Sequence, residues 1–149
     1  MPTPTRLPLA AVALLACAGE VDHACTEIGC ADGLVIELDH TWTEGDYTFE
    51  VSLDGQVITC TASIPFGEGD GCADDRALLS LSGTMLPVDQ QTIPSITVTD
   101  GDVTTVGVRV LMGDTELTNA TLTPAWSTSQ PNGPDCPPTC RTADETITF

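Results

Sequence analysis

The chain of 149 residues contains no lysine. Its cations are four arginines and two weakly basic histidines, set against 22 acidic side chains, for a formal charge of −18. A surface this acidic repels phosphate rather than neutralising it, which excludes electrostatic capture of nucleic acid. Lysine chemistry is excluded outright, whether through a Schiff base or a lysine general base. Aromatics are scarce too, with two Trp, one Tyr and three Phe. That is sparse for the row of stacking platforms a carbohydrate module usually presents. No apolar run reaches the ~20 residues that a membrane-spanning helix needs. Motifs of catalysis are also missing. No G-x-S-x-G elbow, no Asp-Thr-Gly or Asp-Ser-Gly and no C-x-x-C occurs. The two histidines, His23 and His40, read as a solvated residue and a turn residue rather than as bases. Carboxylates abound, but mostly in turns, where a solvated face is their default role.

What the chain does have is β-branched and apolar: 41% of its residues are hydrophobic, and threonine alone occurs 23 times. Disorder is therefore not expected, and the length suits one domain with a real core.

The first 17 residues carry the most specific signal. Arg6 supplies a short positive region, and Leu7 to Ala16 (LPLAAVALLA) forms a ten-residue apolar run. Ten helical residues rise about 15 Å, half a bilayer core, so the run reads as the core of a cleaved signal peptide. It ends in Leu14-Leu15-Ala16-Cys17, which resembles a bacterial lipobox. That resemblance implies a diacylglyceryl group on the Cys17 thiol and cleavage just before it. Ala18 is not an inner-membrane retention signal by the rule of enteric bacteria, so it implies the outer membrane. Cleavage at an ordinary site, after Ala16 or Ala18, is the alternative. The expected layout is a signal peptide over 1–16, a lipidated tether and cysteine-containing lead-in over 17–31, and a folded domain over 32–149. Between Cys17 and Cys25 lie seven residues, AGEVDHA, a tether of about 25 Å at full stretch.

Six further cysteines remain: Cys25, Cys30, Cys60, Cys72, Cys136 and Cys140. An even number in an exported chain reads as a disulfide framework. Cys60 and Cys72 flank a glycine-rich loop of eleven residues, TASIPFGEGDG, and are expected to pair. In Cys136-Pro137-Pro138-Thr139-Cys140 each proline pushes the residue before it toward extended backbone. This favours Cys136 and Cys140 reaching back to Cys25 and Cys30. Adjacent pairing, Cys25 with Cys30 and Cys136 with Cys140, stays open. A four-cysteine zinc site is the other reading of Cys25, Cys30, Cys136 and Cys140, although zinc ribbons generally use C-x2-C knuckles.

The hydrophobic period from Asp32 onward is two. Leu34, Ile36 and Leu38 define one strand, and Tyr47, Phe49, Val51 and Leu53 another. Asp54-Gly55 then predicts a two-residue hairpin with Leu53 opposite Gln56, Val51 opposite Ile58 and Phe49 opposite Cys60. Further strands are expected over Ala77 to Ser82, from Ile96, over Val106 to Val110, and through Leu117, Ala120 and Leu122. Short strands with frequent turn signals predict an all-β, antiparallel β-sandwich, immunoglobulin-like in type.

This layout resembles uncharacterised bacterial lipoproteins with a cysteine-stapled, immunoglobulin-like domain. The matching features are the lipobox, the Cys-x4-Cys-Ala-Asp-Gly-Leu opening, the Tyr47 strand with its Asp-Gly turn and Cys60, and the Pro-Asn-Gly-Pro-Asp-Cys ending. The function expected is a non-catalytic binding module held to the cell envelope by lipid on Cys17. Its partner would be an unidentified protein or glycan, with no nucleic acid and no cofactor, and its acidic surface points to a monomer. The second reading is a calcium-dependent or carbohydrate-directed adhesion module. It would use loop acids such as Asp100, Asp102, Asp114, Glu68, Asp70, Asp74 and Asp75, or Trp42 and Trp126. A carboxylate-dependent hydrolase is the third.

Overall fold

The structure, a computed structural model, describes residues 25–149; the apolar leader, Cys17 and His23 lie outside the described residues. Ten strands follow one another: β1 (Gly33–Asp39), β2 (Gly45–Leu53), β3 (Gln56–Ile64), β4 (Gly71–Cys72), β5 (Ala77–Ser82), β6 (Thr92–Val98), β7 (Val106–Met112), β8 (Thr115–Leu122), β9 (Ser127–Ser129) and β10 (Cys140–Thr148). A 3-10 turn at Val88–Gln90 is the one helical element among the described residues. One sheet has the order β5-β6-β1-β10-β9 and the other β4-β3-β2-β7-β8.

Period-two alternation puts one face of each sheet inward. Leu34, Ile36 and Leu38 of β1 meet Tyr47, Phe49, Val51 and Leu53 of β2 and Val106, Val108 and Val110 of β7 in a single buried cluster. Burial is shared between the two sheets, so the expected β-sandwich is what forms. The β2–β3 register is Leu53 to Gln56, Val51 to Ile58 and Phe49 to Cys60, as the turn chemistry predicts. Asp54 and Gly55 take φ of 47° and 89°, the two positive values a type I′ turn demands.

The immunoglobulin-like layering is present, with a strand order of its own. The constant-type arrangement splits its second and third strands between sheets. Here β2 and β3 form a hairpin within one sheet, and β1 runs parallel to β10 at the centre of the other.

β4 and β9, of two and three residues, have no counterpart in the expected strands, and three further elements differ from the sequence reading for physical reasons. β6 begins at Thr92, not Ile96, and takes in Pro94. The proline is tolerated because pairing with β1 stops at Ser95 and pairing with β5 shifts register beside it, so neither ladder asks for its missing N–H. In β8 a register shift opposite Val110 and Leu111 leaves Leu117 as an extra residue. That bulge is why Leu117 and Ala120 break strict alternation. β10 has no counterpart in the expected strands. Of its inward positions only Ala143 and Ile147 are buried and apolar, with Glu145 between them, so its period-two signal is weak.

The two poles of the sandwich are now defined. At the tether pole β1 and β10 begin and β6 ends, beside the Asp54-Gly55 turn. The distal pole carries the connections 40–44, 65–70, 83–91 and 113–114.

Candidate functional site

The tether pole is where the chain commits most of its long-range bonds. Cys25 pairs with Cys136, and Cys30 with Cys140, at Cα separations of 5.6 Å and 6.1 Å. Both lie within the usual span of a disulfide. Cys60 pairs with Cys72 across β3 and β4. The adjacent alternative is therefore corrected: neither Cys25–Cys30 nor Cys136–Cys140 forms. The zinc alternative falls with it, because all four sulfurs are consumed and none is left as a thiolate ligand.

Two sequence-distant residues complete the bolt. Asn132 in the turn before Cys136 treats the lead-in as a strand partner. Its Oδ1 accepts from the Ile28 N–H at 2.9 Å and from the Thr26 hydroxyl at 2.6 Å, while its Nδ2 donates to the Ile28 carbonyl at 3.0 Å. Asp32 accepts the Arg141 N–H at 2.6 Å, tying the foot of β1 to the foot of β10. Gln130-Pro131-Asn132-Gly133-Pro134 is turn-rich in sequence, but nothing in it marks Asn132 as a staple. An Asn beside Gly fits a turn just as well, and its partners lie 104 to 106 residues away.

The acids singled out for calcium are divided between the poles, and Asp70, Asp74 and Asp100 among them cap turns. Asp100 accepts the Asp102 N–H at 3.0 Å, and Asp102 pairs with Arg141 at 2.9 Å. Asp74 accepts the Arg76 N–H at 2.9 Å and pairs with its guanidinium at 3.0 Å, which holds its carboxyl below the ordinary range. Asp70 caps the Ser63 and Gly67 N–H groups. Asp54 takes the Thr104 hydroxyl at 2.7 Å and the N–H groups of Thr105 and Thr104, and its pKa is lowered by those donors in that order. Among the described residues, no three His, Cys, Asp or Glu side chains gather into a group that could hold a metal ion. Each described arginine meets a carboxylate: Arg76 with Asp74, Arg109 with Glu50 and Glu116, and Arg141 with Asp102.

The two tryptophans close the ends of the sandwich. Trp126 donates its Nε1 hydrogen to the Val103 carbonyl at 2.9 Å, with the Arg141 guanidinium 5.2 Å from its ring centroid. Trp42 stands edge-on to Tyr47 at 5.1 Å and to His40 at 4.8 Å. His40 stacks on Phe149 at 4.3 Å, and its Nδ1 hydrogen goes to the main-chain oxygen of Phe149 at 2.8 Å. Packing accounts for both indoles and for the imidazole.

At the distal pole, Gln91 is the one buried polar side chain among the described residues. Its Oε1 accepts from Phe66 N–H at 2.9 Å and its Nε2 donates to the Leu86 carbonyl at 3.1 Å, joining two loops. The Leu86 N–H bonds to the Gly83 carbonyl at 2.8 Å in a tight turn. Gly83 has φ of 81°, and a Cβ there would lie 2.5 Å from the Gln90 carbonyl oxygen, so only glycine fits. The loop so fixed presents Met85, 94% exposed, and Leu86. Set against known proteins, the chain matches no family model, no curated protein and no solved structure.

Proposed function

We propose that the chain is a lipid-anchored lipoprotein of a bacterial cell envelope, and that its β-sandwich is a non-catalytic binding module. The observation that carries this reading is Leu14-Leu15-Ala16-Cys17 placed seven residues ahead of Cys25, which is itself bolted to the foot of β10. A lipid on Cys17 would hold the tether pole within about 25 Å of the membrane. The distal loops would then face away from it, free to meet a partner. Anionic headgroups repel a body of this charge, so the lipid supplies the attachment and the domain stands off the surface. The disulfides supply stability where large aromatic side chains are few. The partner on this reading is a protein or a glycan met at the outer membrane by a monomer.

Membrane fractionation of cells expressing the full chain tests the reading. The native protein is expected in the membrane pellet, released by detergent but not by high salt. Cys17→Ser is expected in the soluble fraction. A Cys17→Ser protein that pellets like the native one would contradict lipid anchoring.

A further inference from the structure

A sheet edge is an open row of N–H and C=O groups, and proteins protect such edges with very short strands, bulges, proline or charge. This sandwich has four edge strands, and three are protected. β9 and β4 flank only part of β10 and β3, but beyond them β10 carries Asp144 and Glu145 and β3 is bonded by Asp70 and Ala73. β4 is two residues long and β9 three. β5 carries a register shift between Ser80 and Ser82. β8 is the exception. It is eight residues long and contains no proline, glycine or cation. Its one charge, Glu116, is drawn back onto Arg109. Its bulge is spent at Leu117, after which Thr118 to Leu122 pair in regular register with Val110 to Val106. Among the described residues, no main-chain group of β8 has a hydrogen bond beyond its ladder with β7.

We propose that the outer edge of β8, over Thr118–Leu122, docks an extended segment of another protein that carries lysine or arginine at alternate positions. The proposal rests on the binding-module reading and gives it a surface. Main-chain hydrogen bonds along the edge supply the affinity of such strand addition, and alternate side chains supply the choice of partner. One set of the added strand's side chains would continue the face of Ala120 and Leu122, which pack against the core, so those positions call for apolar residues. The other set would continue the solvent face of Asn119 and Thr121. That face holds the Glu50–Arg109–Glu116 group, two carboxylates on one guanidinium. With −18 on the whole chain and each described arginine already paired, the field over this edge favours a cationic strand. The same charge sets a second copy of this chain against docking here, since two such bodies repel.

Hydrogen exchange on the purified protein tests this with two synthetic peptides, one alternating lysine with valine and the other aspartate with valine. Amides within Thr118–Leu122 are expected to slow by about tenfold or more with the lysine peptide, less so as salt rises, and not with the aspartate peptide. Three results would overturn the proposal. The lysine peptide leaves β8 unprotected, both peptides protect it alike, or the protein alone protects β8 as its concentration rises and sediments as a dimer. Lipid on Cys17 is read separately by fractionation, so failure of the strand leaves the anchor standing, and failure of the anchor leaves the strand.

Discussion

Asp54 sits in a two-residue turn, yet its carboxylate holds the loop that enters β7, through Thr104 and Thr105. Those donors lower its pKa, so the folded state favours the ionised form. The stabilisation it gives is present above the ordinary carboxylate pKa and is lost as pH falls through the lowered one. Asp54→Asn keeps an acceptor oxygen and tolerates the positive φ but removes the charge. Thermal melts should therefore show the native protein above the variant near pH 7, with the gap closing below about pH 4. A gap independent of pH would mean that the charge is not what holds the loop. Gln91 is the second residue with reach. Gln91→Ala would leave the Phe66 N–H and the Leu86 carbonyl without their partner, an expected loss of about 1–3 kcal/mol. Hydrogen exchange should quicken in 65–70 and 83–90 and stay unchanged in β2, whereas uniform quickening would argue for a general core role.

Among elements, the strands that were legible are those where apolar side chains alternate without interruption and a turn fixes the register. β2 and β3 follow from Asp54-Gly55, and Cys60 follows from them. β10 was not legible, because its place is set by partners rather than by its own pattern. It lies between β1 and β9, and its foot is fixed by Cys136, Cys140 and the bond from Arg141 to Asp32. The prolines favoured the outer cysteines reaching back to Cys25 and Cys30 but left adjacent pairing open, and the fold settles the pairs, whereas Asn132 as a staple needed the fold altogether. These two disulfides also make a sharp prediction. They close loops of nearly equal length, with separations of 111 and 110. With one in place, the other closes only a ring of roughly ten residues, worth about 3 kcal/mol, whereas the first to close a 100-residue loop is worth nearly 5 kcal/mol. Denaturant unfolding of Cys25→Ala/Cys136→Ala and of Cys30→Ala/Cys140→Ala should each show the smaller loss. Removing all four should cost more than the two losses added. Strict additivity would contradict this shared-loop account.

At the scale of the whole molecule, charge dominates. Eighteen uncompensated negative charges on a chain without lysine repel one another in the compact state. Screening should therefore stabilise this protein. Its melting temperature is expected to rise as NaCl goes from about 10 mM to 500 mM, over which the Debye length shortens from about 30 Å to under 10 Å. A fall would mean that its few ion pairs outweigh the repulsion. Composition made this scale readable at once, as period-two alternation did the sandwich and the even cysteine count the three disulfides. Which edge is left open was not readable, because that depends on how ten strands share two sheets. The proposed function joins a lipid on Cys17 to the disulfide bolt behind it. Mass spectrometry of non-reduced peptides from membrane-extracted protein tests both together. The account predicts a diacylglyceryl-sized mass on a peptide beginning at Cys17, with Cys25 linked to Cys136, Cys30 to Cys140 and Cys60 to Cys72. A lipid-free chain cut elsewhere, or Cys25 linked to Cys30, would contradict it.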